Sequence, residues 1–510
     1  MALAVRLPND DDDDGRYYAQ LAKNVLAGHG YSGEPEQPYP ATYIRVPGYP
    51  LFLAAVYAVF GSDNNTAVRI IQAVADTITC FVVGFLAAAW APRGWERARR
   101  RRAALAAAAL AAVCPFTAIY VTTILTETLA TLLSATFALV ATLAFKANTA
   151  KGRTLRWLLA GLTGGVATIV RPDCAIFVGG AGLTLVVVGL RNSWVARRGA
   201  RRRPPVAELM SAVVCGLLLT AGFSAALAPW TIRNARVFGV FQPVAPRYAN
   251  MADEAAPLGY INWLRTWIDD EIYVSPIEDG LDLYPINFEL IPDSAFDSPE
   301  ERARVAGLIE RYNNPVREQS NDASSEDSDQ EEDEPLLPTM TPALDDEFAE
   351  IARARIERNP VRYYFNLPFK RGVSLWFDTH SQFYPFQGEL FPWWALDRDK
   401  HQQYWLPLFV GITMIYTALG LTGLWVMINT RETRRWVLLA AMLVLPRLAF
   451  LAAQEHPEGR YTVEFFAFVL AAAGVAIAAM SFRQSPGRQA PKHLNKAVRS
   501  KMPLAPGTRL

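Results

Sequence analysis

The chain has 510 residues, 51% of them hydrophobic and 19% charged, with a formal net charge of +1. Long apolar runs alternate with compact basic clusters and one large polar block. That pattern points to a multi-spanning membrane protein and away from a soluble enzyme or a nucleic-acid binder. The four cysteines all fall in or beside apolar segments, so no disulfide framework is implied, and neither C-x-x-C nor H-x-x-x-H occurs.

Residues 1–65 read as an external first loop. Met1–Pro8 looks like the last turns of a helix whose beginning is absent, as in a fragment or a chain with a late start codon. Asn9–Tyr18 (NDDDDDGRYY) then opens an amphipathic helix, with Tyr18, Leu21, Ala22 and Val25 at helical spacing. Val46–Phe60 is apolar but short, and is expected to be peripheral.

Nine crossings are expected, near 66–91, 103–120, 124–146, 155–171, 173–190, 208–230, 404–428, 436–454 and 462–482. Six precede a non-cytoplasmic, soluble-like block, 231–403, and three follow it; a basic tail occupies 483–510. The block is expected to be a mixed α/β subdomain, with an acidic, low-complexity insertion at 319–334. With nine alternating crossings, the clusters at Arg93–Arg102, Lys146–Arg156, Arg191–Arg203, Arg431–Arg435 and Arg483 onward share one side. By the positive-inside rule that side is cytoplasmic. The chain is thus expected in the plasma (inner) membrane, multi-pass, with its active face on the other side.

That other face collects the residues able to do chemistry. Asp13 or Asp14 either caps the first amphipathic helix or serves as a general base at the membrane edge. Glu127, in VTTILTETLATLL, lies among apolar residues at the outer end of a span, as a snorkelling side chain or a functional carboxylate. Arg233, Arg460 and Arg447, with Arg171 in the turn IVRPD, are placed to contact lipid headgroups, to pair with carboxylates, or to hold a phosphate bidentately. Acids with arginines on one face suit sugar transfer from a lipid phosphate. No P-loop or dinucleotide fingerprint is present. A transporter or lipid-linked-glycan flippase is the alternative, although no internal repeat supports it.

Several stretches resemble the first external loop and later landmarks of the GT-C glycosyltransferases. They are DGRYYAQLAKNVLAGHGYS (14–32), YIRVPGYPLFLAAVYAVFG (43–61), LTETL (125–129), RPD (171–173), APWTIRN (228–234), NPVRYY (359–364) and EGRYTV (458–463). More narrowly, they are similar to bacterial relatives of dolichyl-phosphate-mannose protein mannosyltransferases and lipid A aminoarabinose transferases, the glycosyltransferase family 39-like group. The resemblance implies an all-α polytopic fold, a polyprenyl-phosphate-linked sugar donor, and inversion at the anomeric carbon. It implies an acceptor that is a glycan, lipid or protein. It maps the catalytic base to Asp14 with Asp13 adjacent, an acidic site residue to Glu127, and donor-phosphate contacts to Arg233 and Arg460. Some members of the superfamily use a divalent metal and others do not. The five-aspartate run is longer than is usual in the family, and its first span is represented here only by Met1–Pro8.

Overall fold

The computed structural model describes residues 13–199, 204–246, 248, 251, 256–270, 273–315, 337–377, 380, 383 and 400–480. Residues 1–12, the acidic insertion and the basic tail therefore lie outside the described residues, as do residues 384–399.

Two short helices lead: α1, Asp13–Ala27, and α2, Gly48–Phe60, which pack together through Ala22, Leu53 and Tyr57. The bundle follows as α3 (Asn65–Trp90), α4 (Arg97–Ala112), α5 (Glu127–Phe145), α6 (Ala150–Val170), α7 (Ala175–Arg197) and α8 (Pro205–Phe238). Their ends are written locally. Asn64 caps α3 by accepting the Ala67 N–H, Thr149 caps α6 by accepting that of Gly152, and α8 stops at Gly239 with φ 71°. Bundle contacts are close because small residues face one another. A Cβ on Gly161 of α6 would collide with the Leu219 carbonyl of α8, and one on Gly222 of α8 with the Leu158 carbonyl of α6.

The polar block holds α9 (Leu258–Arg265), α10 (Pro299–Asn313) and α11 (Pro342–Arg358), closed over a core of Tyr260, Trp263, Trp267, Leu308 and Phe348. The Asp345 carboxylate accepts the backbone N–H groups of Gly259 and Tyr260, tying α11 to the start of α9. Here the mixed α/β expectation is corrected: the described residues of the block contain helices and short helical turns but no strand. Ser298 and Thr341 cap α10 and α11, and the buried positions Val305, Leu308, Ile309 and Tyr312 follow helical spacing.

A short helix, α12 (Leu367–Phe377), returns the chain to the bundle, which ends with α13 (Lys400–Ile428), α14 (Arg434–Ala452) and α15 (Phe465–Met480). Helices thus occupy all nine positions expected to cross. Six are long and apolar enough to do so by themselves, and α4 with Pro115–Thr122, bent by 53°, is a seventh if the pair is one broken span and not a re-entrant loop. The other two differ for visible reasons. The first turns of α6 carry Lys151, Arg153 and Arg156, and α15 is 16 described residues long and buried along almost its whole length.

A candidate active site at the ends of the spans

Chain termini of several helices meet at one end of the bundle around a cavity of about 680 Å³. Asp14 and Tyr18 come from the first turns of α1, and Arg45 from the extended segment before α2. Glu127 is the first residue of α5, Arg171 follows the last turn of α6, and Arg460 with Tyr461 lies on the 3-10 turn Gly459–Thr462. The polar block adds Tyr248, Tyr260 and Glu278, and the end of α14 adds Phe450, Leu451, Glu455 and His456. Carboxylates at the first turns of α1 and α5 are favoured there by the helix dipole. The Arg45 backbone is fixed by the Tyr31 hydroxyl, which donates to the Arg45 carbonyl at 3.2 Å and the Val46 carbonyl at 3.1 Å.

The charges form two tiers. At the rim, Arg45 donates to Asp14 at 3.0 Å, Arg460 stands 3.8 Å from the other Asp14 oxygen, and Arg460 also pairs with Glu458. Beneath it lies a buried floor. Arg171 contacts Glu127 at 2.8 Å, Asp173 at 3.3 Å and Glu464 at 3.6 Å. Arg447 reaches Asp173 at 2.6 Å and Glu464 at 2.8 Å. One oxygen of Glu127 is buried without a hydrogen-bond partner.

His456 sits between acids, with Nε2 2.6 Å from Glu458 and Nδ1 3.8 Å from Glu278. Burial pulls its pKa down, but Tyr461, Glu458 and Glu278 outweigh that and hold it well above 6.5. For Glu458, burial is overcome by Arg460 and His456, which bring the carboxyl down to about 2. Burial raises the Tyr18 hydroxyl, so it stays a neutral phenol beside Asp14.

Of the residues singled out from sequence, Asp14, Glu127 and Arg460 line this cavity. Asp13 points to solvent with its side chain 94% exposed and pairs with Arg16. Arg233 is spent elsewhere, donating to the Thr42 carbonyl at 2.7 Å and the Asn234 side chain at 2.9 Å, among the rings of Tyr31, Trp230 and Phe238. Arg447 is wholly buried in the floor and is not part of the cavity lining. Arg45, His456 and Glu278 were not singled out from sequence; Arg45 does lie inside the informative stretch YIRVP, and His456 stands two residues before EGRYTV. Among the described residues, no group of three or more His, Cys, Asp or Glu is disposed to hold a metal ion, and the arginines already face Asp14 and Glu127.

Residues 40–202 match the family described as dolichyl-phosphate-mannose-protein mannosyltransferase. The chain resembles the GT-C glycosyltransferases. The matched segment carries Arg45, Glu127, Arg171 and Asp173 of the site, and ends before Arg460. Among solved structures, the chain is similar to an oligosaccharyltransferase from Archaeoglobus fulgidus tethered to an acceptor peptide. Identity is 12% and the TM-score 0.45, over 94% of this chain and 48% of that one. It is also similar to ArnT from Cupriavidus metallidurans in the apo state (12% identity, TM-score 0.34, 93% of this chain and 75% of that one). For the same protein bound to undecaprenyl phosphate the values are 13%, 0.36, 94% and 76%. The chain spans about half the length of the oligosaccharyltransferase. No curated protein matches it.

Proposed function

We propose that the chain is a membrane glycosyltransferase that moves a sugar from a polyprenyl-phosphate donor to an acceptor hydroxyl on the non-cytoplasmic face, with inversion. Nine crossings, with the site at the face opposite the basic clusters, complete this reading. One observation carries it: Asp14, accessible at the rim, shares a cavity at the helix ends with Arg45, Arg171 and Arg460.

In this mechanism Asp14 accepts the proton of the acceptor hydroxyl as its oxygen attacks C1 of the sugar. The bond from C1 to the phosphate oxygen breaks, and its electron pair leaves with the polyprenyl phosphate. Arg460 and Arg45 stabilise the charge gathering on that phosphate, because guanidinium groups fit phosphate oxygens in pairs. Arg171, held by Glu127, adds a fixed positive charge beneath them. The apolar lining from Leu125, Val170, Phe450 and Leu451 suits the first isoprene units of the lipid.

The test is sugar transfer by the full chain in proteoliposomes supplied with a panel of synthetic polyprenyl-phosphate sugars. Expected is transfer from at least one donor, with the opposite anomeric configuration in the product. Absence of transfer from every donor by correctly inserted protein would overturn the reading in favour of a transporter or flippase.

A further inference from the structure

A second polar cavity, of about 270 Å³, lies apart from the candidate active site, where α11 runs through Asn359 and the turn Arg362–Asn366 into α12. It is lined by Arg355, Arg358 and Arg362 together with Asp297. Asp297 alone meets all three guanidinium groups, at 3.3, 2.8 and 3.2 Å, and Glu301 pairs with Arg355 and Arg358. Three cations against two carboxylates leave one positive charge in excess. The Arg355 Nε is buried without a hydrogen-bond partner, while the Arg358 and Arg362 side chains stay 55% and 31% exposed.

Directly below runs an apolar ridge. Val361, Phe365, Phe369 and Val373 recur every fourth residue and are 58%, 70%, 73% and 43% exposed. The opposite ridge, Leu367, Arg371 and Leu375, is buried, so the exposed one is an outer face. The α12 helix packs against the end of α14, and Trp376 donates its indole N–H to Thr417 at 2.8 Å. Thr417 is at the middle of the Pro407–Ile428 span.

These positions fix a depth. A helical rise of about 1.5 Å per residue puts Val361 and Arg362 about 20 Å above Trp376. Half of a hydrocarbon core is about 15 Å, so a ridge rising from the midplane leaves lipid at the level of these arginines. The ridge would face acyl chains, and Arg358 and Arg362 would meet the layer of lipid phosphates. We propose that this cavity is a binding site for the headgroup of an anionic phospholipid in the leaflet on the active-site side, its phosphodiester held by Arg358 and Arg362. A monoanionic phosphodiester matches the single uncompensated charge, and the ridge supplies the contact for its chains that a free phosphate lacks.

The experiment titrates the full chain in detergent with phosphatidylglycerol, phosphatidylcholine or inorganic phosphate, counting bound lipid by native mass spectrometry. Expected is tighter binding of the first phosphatidylglycerol than of phosphatidylcholine, weakened about tenfold in the double variant R358Q/R362Q, with phosphatidylcholine unaffected. Asn359→Asp keeps the side-chain oxygen that accepts the Arg362 N–H and adds a negative charge at the mouth. It is expected to weaken phosphatidylglycerol in the same direction, which guards against misfolding of the double variant. Equal affinity for the two lipids would overturn the site, as would an unchanged first phosphatidylglycerol in both variants or its displacement by equimolar inorganic phosphate.

Discussion

The rim and the floor of the large cavity are built from the same residue types and differ in what surrounds them. In the floor, Arg447 and Glu464 are fully buried, and Arg447 is held by two carboxylates between the rings of Phe177 and Phe465. At the rim, the Asp14 side chain is 30% exposed and that of Arg45 31%, so both can exchange partners with an incoming ligand. The floor is a permanent ionic joint between α6, α7, α14 and the start of α15. The rim is a set of charges held ready. Under the proposed function, solvent access, more than the presence of an arginine–carboxylate pair, separates a structural contact from a chemical one.

Substitutions can break that contrast. The largest effect is expected from Asp14→Asn, which removes the base while keeping the shape; general-base catalysis is worth about 10²–10⁴-fold, and the sugar-transfer rate should fall by that much with melting unchanged. Replacing Arg447 by Met should do the reverse. It leaves Asp173 and Glu464 buried with only the longer contacts to Arg171, a loss of about 3–5 kcal/mol visible as a lower melting temperature and poor recovery from membranes. Arg45→Gln should lower kcat about 10²-fold with little change in melting, as expected for one lost electrostatic contact to the leaving phosphate.

The smallest effect is a pH dependence. The His456 pKa is raised well above 6.5 in the folded chain, so its contribution is complete below about 6.5 and is lost as pH climbs through the raised value. Glu458, lowered to about 2, contributes fully above its ordinary 4.5 and loses this only as pH falls toward 2. Melting of the wild type should therefore decline on the alkaline side, and His456→Gln should flatten that decline while moving the acid limb to higher pH, because His456 helps Arg460 hold Glu458 down. An unchanged alkaline limb in His456→Gln would show that another group sets it.

Much of this organisation is legible in the residues. Among the described residues, apolar runs and turn residues locate the bundle helices, six of which are long and apolar enough to cross by themselves, because span length and capping are local properties. The convergence of Asp14, Glu127 and Arg460 could be expected from their places at the ends of apolar segments. Sequence did not separate Arg447 and Arg233 from Arg45. All three are arginines near apolar residues, and their roles depend on which carboxylate, carbonyl or ring the fold delivers to each. The described residues of the block form helices and no strand where a mixed α/β subdomain was expected, because composition suggested a soluble core without fixing its period; α10 and α11 carry helical spacing and Ser and Thr caps.

The most direct test of the account sets Asp14→Asn beside Asp13→Asn in the sugar-transfer assay, with melting recorded for both. These neighbours share sequence context, but only Asp14 lines the cavity, while the Asp13 side chain is 94% exposed. The account predicts that Asp14→Asn loses transfer and that Asp13→Asn stays within about twofold of wild type, both melting normally. Equal retention of activity by the two variants, or loss confined to Asp13→Asn, would contradict it.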